Sequence, residues 1–153
     1  MKALTLHQPW ASLIALGFKT YETRSWGTDY RGPLAIHAAK AIHKYAREYY
    51  EDEIQKYFRV YLPSDLREWP KGEVVCVVSL TDCIPTSDKM EKTPLPTKDP
   101  ADPCNTIDQR RFGDFHEGRF AWKLENINMQ HKLVGHRVLG CQKLWDIFEP
   151  CYI

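Results

Sequence analysis

Gly17-Phe18-Lys19-Thr20-Tyr21-Glu22-Thr23-Arg24-Ser25-Trp26 is the stretch on which the fold turns. Gly17 suits the position just past a helix end, where a left-handed backbone brings no Cβ clash. Tyr21 to Trp26 has the β-branched and aromatic content of a strand. A helix therefore ends and a strand begins inside this stretch. In an extended chain alternate side chains share a face. Glu22, Arg24 and Trp26 fall together, and Lys19 sits in the turn that feeds them. An acid, two cations and a flat aromatic in one place can stack a base, bind a phosphate and position an acid or base beside it. The plainer reading is a surface Glu22–Arg24 ion pair worth ~0–1 kcal/mol, with Trp26 at the rim of the core.

Upstream, Lys2 to Leu6 alternates as a strand, and Pro9 fits the first position of a short helix that ends at Gly17. Downstream, Arg31-Gly32-Pro33 reads as a turn and Leu34 to His37 as a strand. Ala41 to Phe58 is the longest helix candidate, since Ile42, Tyr45, Tyr49 and Ile54 recur at three- and four-residue spacing. Lys44 with Glu48 and Arg47 with Glu51 would support it from outside. Glu73 to Leu80 is the most apolar run and is expected as a central strand. Residues 84–111 are rich in proline and are expected as a long surface loop. Gly118 to Leu124 alternates again, and Val134 to Ile147 is expected to hold one or two more strands. The class is α+β: five to seven short strands in a small barrel, with helices packed on it.

The chain has 153 residues, a length that fits one domain spanning 1–153. Its 21 Lys and Arg against 20 Asp and Glu argue against a purely electrostatic clamp on duplex DNA. The charge is uneven, however. Residues 1–50 carry seven basic and three acidic side chains, and the remainder fourteen and seventeen. A local anion site in the first third fits that bias. No run of eighteen apolar residues suggests a membrane span. The opening residues, broken by His7, Gln8 and Pro9, do not read as a signal peptide. Five cysteines without a CxxC pair read as reduced thiols and suggest the cytoplasm.

With these residues in place, the chain resembles a known family. Gly17-x-Lys19-x-x-Glu22-x-Arg24 is similar to the GxKxxExR signature of the ASCH domain, a relative of the PUA fold. Leu4 to Ala11, Arg31 to Lys40, Phe112-Gly113-Asp114, Gly118 to Ile127 and Gly140 to Trp145 resemble further segments of that family in the same order. Residues 51–72 and 84–111 show no family pattern. The resemblance implies a PUA-like β-barrel with flanking helices and a cleft lined by Lys19, Glu22 and Arg24. Gln8, Trp10, Ser12, Trp26, His37, Lys40 and Trp122 are further lining candidates.

The resemblance also implies a nucleic-acid-related role. The first expectation is binding of RNA or a modified nucleotide or nucleoside, with single-stranded DNA as another candidate partner. Trp10 or Trp26 would stack the base, and Lys19 and Arg24 would hold oxygen. The second is a small hydrolase, either an amidohydrolase on a modified nucleoside or a ribonuclease. Glu22 would then be the base, and Lys19 would stabilise developing charge. Some bacterial relatives hydrolyse acetylated cytidine with a Thr in the signature; here the position is Glu22, so that mechanism does not carry over. The third is a protein-interaction module. No cofactor, metal or membrane is expected. His131 and His136 are poorly spaced for a shared metal. Arg110-Arg111 reads as a solvated pair, Asp114 as a turn residue, and Tyr45, Tyr49 and Tyr50 as a packed helix face.

Overall fold

The computed structural model describes residues 1–58 and 62–148. Strand β1 (Lys2–Leu6) leads into helix α1 (Trp10–Ala15), and the chain reverses at Gly17, whose φ is +82°. Strand β2 (Tyr21–Arg24) follows, then β3 (Gly32–Ala38). The expected long helix begins later than its periodicity suggests. It runs as α2 (Lys44–Tyr49), a π turn (Tyr50–Ile54) and α3 (Gln55–Phe58). His43 caps it, accepting from the Tyr45 amide at 3.3 Å. Tyr45 is 61% exposed, so it is not part of the packed face, whereas Tyr50 is buried.

Strand β4 (Glu73–Pro85) is the long apolar run. Within 84–111 the chain forms α4 (Asp88–Lys92) and a small hairpin of β5 (Pro96–Lys98) and β6 (Thr106–Asp108), with mostly exposed side chains. A 3-10 turn (Gln109–Phe112) precedes β7 (Phe120–Asn128), and β8 (Leu144–Asp146) closes the described chain. Between Val134 and Ile147 there is one strand and a single bridge from Glu73 to Arg137.

Six strands curl into a half-barrel in the order β2-β7-β4-β3-β1-β8. The architecture is α+β and fits the PUA-like barrel expected from the sequence. β1 and β3 are parallel, and the other neighbours are antiparallel. The α1 crossover makes that parallel pair possible, since parallel neighbours cannot be joined by a tight hairpin.

β4 sits near the middle of the sheet and is covered on both faces, which explains its unbroken apolar run. Cys76, Val78 and Leu80 join Leu4, Ile14 and Trp122 on one side. Val74 and Val77 join Ala3, Ala35 and Leu133 on the other. Cys76 is a core residue, and burial pushes its thiol up to about 12. Cys151 lies outside the described residues. A third cluster, with Leu13, Phe18, Tyr50, Ile54, Trp69 and Phe112, packs the helices against one another and against the 3-10 turn.

Candidate functional site

The reversal after α1 is held from the far end of the chain. Gln109 is fully buried. Its side-chain oxygen accepts from the Thr20 amide at 2.7 Å, and its amide nitrogen donates to the Phe18 carbonyl at 2.8 Å. Lys19, 1% exposed, donates from Nζ to the Phe112 carbonyl at 2.6 Å. The 3-10 turn and the turn feeding β2 therefore form one wall. Gln109 falls in the stretch without family pattern, and no sequence signal marks it.

Lys19 Nζ also lies 3.2 Å from Glu22 Oε2. Arg24 Nε lies 3.1 Å from Glu22 Oε1, and Arg24 Nη2 donates to the Thr5 carbonyl at 3.0 Å. Glu22 thus holds a cation on each oxygen. The three groups together carry a net charge of +1. Burial pulls the Lys19 ammonium below its ordinary value, opposed by the attraction of Glu22. The Arg24 side chain is 26% exposed and presents this charge at the surface.

That surface is a hollow of about 870 Å³. Glu22 and Arg24 line one side, and Trp10, Trp26, Tyr49 and the 110–114 segment line others. Gly140 to Lys143 complete the rim. Trp10 stacks on Tyr49 with ring centres 5.5 Å apart and planes 21° apart. Trp26 stands edge-on to Trp122 at 4.8 Å, so its ring is braced while partly exposed. The lining cations are Arg24, Arg110, Arg111 and Lys143; the lining acids are Glu22 and Asp114. Asp114 pairs with His116 and Arg119, and Arg110 pairs with Asp108 at 2.6 Å.

The residues expected at the cleft separate into groups. Trp10, Glu22, Arg24 and Trp26 meet at the hollow. Lys19 lies sealed behind Glu22, where it braces the wall and cannot touch a guest directly. Trp122 is wholly buried, because β7 turns its alternate positions into the core beside β2. Gln8 and Ser12 are buried and bond to each other at 2.8 Å, and Gln8 also donates to the Pro70 carbonyl. Those bonds satisfy polar groups at the start of α1, away from the hollow. His37 and Lys40 line a second, neighbouring hollow instead.

Thr5, His7 and Gly140 to Lys143 line the hollow without a sequence pattern that marks them as lining, and Tyr49 and Arg110-Arg111, expected as a packed face and a solvated pair, line it too. Among the described residues no three His, Cys, Asp or Glu side chains gather in a metal-binding arrangement. Among them, too, no helix is long and apolar enough to cross a membrane.

Comparison with known proteins adds two findings. The ASCH domain family model matches residues 4–132. Activating signal cointegrator 1 of Homo sapiens is 37% identical over 94 residues, and that of Mus musculus 36% over 94. Each match covers 60% of this chain but only 16% of the relative's length.

Proposed function

The chain belongs to the ASCH domain family, a nucleic-acid-related family, and from that premise we propose that it binds single-stranded RNA or a modified nucleotide in the hollow beside Glu22 and Arg24. The observation that carries this reading is the juxtaposition of a partly exposed Arg24, held by Glu22, with the stacked Trp10–Tyr49 pair on the same hollow. The aromatic faces accept a base, and any base offers a π-face to them. Arg24 presents a planar fork suited to phosphate or carbonyl oxygen. Glu22 fixes the direction of that fork, and Lys19 is a positioning residue acting through Glu22.

The hollow is wide and open, which suits a strand better than an enclosed nucleoside. Hydrolysis at the same place, with Glu22 as base, is the competing reading, and one experiment separates them. Binding of fluorescently labelled single-stranded RNA is measured by anisotropy at several salt concentrations. Arg24→Ala is expected to weaken binding about tenfold or more, since charged hydrogen bonds contribute ~1.5–3 kcal/mol. Arg24→Lys does not restore it, because a point charge lacks the fork. Tight binding that Arg24→Ala leaves unchanged argues against the hollow. RNA cleavage or deacylation of a modified nucleoside, lost in Glu22→Gln while binding persists, favours the enzyme.

A further inference from the structure

A second hollow of about 840 Å³ opens beside the first. Thr5, Ala39 and Gly140 line both, so the two hollows adjoin along these residues. Gly140 lies close against His37 and Thr5 at that boundary, where a side chain has no room. A Cβ there would stand 2.7 Å from the His37 ring and from Thr5 Oγ1.

The charge of this second hollow is one-sided. Lys40, Lys71 and Arg137 line it, and among the described residues no carboxylate does. Lys71 donates to the Arg67 carbonyl at 2.7 Å, a neutral acceptor that leaves its full charge in place. Arg137 lies 3.5 Å from Glu73, but its side chain is 84% exposed, so that pairing is weak. The first hollow, by contrast, combines charge with aromatic faces. One region can hold a base, and the next can hold backbone.

Resting on the reading of the first hollow given above, we propose that the second hollow is a phosphate-binding continuation of it. A strand with its base beside Trp10 and Arg24 crosses the Thr5–Ala39–Gly140 boundary and lays later phosphates against Lys40, Lys71 and Arg137. The preferred partner is then a single-stranded RNA several nucleotides long, rather than a mononucleotide. Each phosphate neutralised releases condensed counterion, so affinity rises with strand length until both hollows are covered.

The test uses the whole chain and labelled oligouridylates of two lengths, a trinucleotide and a decanucleotide, read by anisotropy across a salt series. The decanucleotide is expected to bind about tenfold tighter or more. The double variant Lys40→Ala/Lys71→Ala removes that advantage, lowers the salt slope for the decanucleotide by about 1.4, and leaves the trinucleotide unchanged. Both side chains are at the surface, and an unchanged circular dichroism melt checks the fold. Equal affinity for the two lengths, or a decanucleotide indifferent to the double variant, overturns the second hollow. If the trinucleotide still binds and depends on Arg24, the first hollow stands without the second. If neither RNA binds, both fail.

Discussion

Lys19 donates its buried ammonium to the carbonyl of Phe112 at 2.6 Å, tying together residues 93 positions apart. The bond makes a cation part of the wall's framework. Its other contact, to Glu22, sets the carboxylate that in turn holds Arg24. Removing Lys19 would leave a buried carboxylate short of one partner and a buried carbonyl without its donor.

Lys19→Met is therefore expected to destabilise the protein by about 3–5 kcal/mol, the range for breaking a buried charge pair from one side. Urea unfolding followed by circular dichroism measures this. Lys19→Arg is not an adequate replacement, because a planar fork does not reproduce the point charge that Lys19 places between the Phe112 carbonyl and Glu22. A Lys19→Met midpoint equal to wild type would contradict the bracing role.

The two tryptophans separated by burial should separate in experiment. Trp10→Ala is expected to weaken RNA binding by ~1–3 kcal/mol, the value of one base stack, while changing stability less. Trp122→Ala empties a wholly buried site and is expected to cost about 3–5 kcal/mol of stability. Parallel binding and urea-unfolding measurements on both variants distinguish the outcomes. Trp10→Ala with full affinity would remove the stacking platform from the account.

His37 gives a pH dependence whose sign follows from its bonds. The Val138 atom that faces Nε2 is its carbonyl oxygen, so Nε2 donates to it, at 3.1 Å. Trp145 Nε1 donates to Thr5 Oγ1 at 3.1 Å, and the hydroxyl faces His37 Nδ1 at 3.3 Å. A neutral ring with Nδ1 accepting the Thr5 hydroxyl proton fits this network. Burial likewise holds His37 below its ordinary 6.5, with the Val138 carbonyl opposing. Between that lowered value and 6.5 the unfolded chain binds a proton that the folded chain refuses. Stability contributed by His37 is thus complete above 6.5 and falls as pH drops through this window. His37→Asn should flatten that part of the stability profile, measured by urea midpoints from pH 7 downward. A wild-type slope unchanged in the variant would refute the assignment.

The sequence made the fold legible where period and composition agree. Glu73 to Leu80 reads as a covered central strand because nothing polar interrupts it, and β4 is covered on both faces. The alternation of Glu22 and Arg24 put them on one face, and they meet there. Depth was not legible. Lys19 looks solvent-facing in a turn, yet Phe112 and, from a stretch with no pattern, Gln109 close over that turn. Trp122 and Trp26 are the same residue type in similar alternating stretches of sequence. Trp122 pairs with Glu22 inside the sheet and fills the core, whereas Trp26 lies past the end of β2 and rims the hollow. Gln8 and His37 also bond to the distant Pro70 and Val138 carbonyls, which local pattern could not show, whereas the Gln8–Ser12 bond spans only four residues.

The most direct test of the RNA-binding hollow follows the indole N–H signals of the tryptophans in a proton–nitrogen correlation spectrum as single-stranded RNA is added. The account expects Trp10 and Trp26 to shift saturably, and Trp69, buried among the helices, to stay in place; Arg24→Ala should abolish the shifts. Trp10 and Trp26 unmoved by RNA that is demonstrably bound would contradict it.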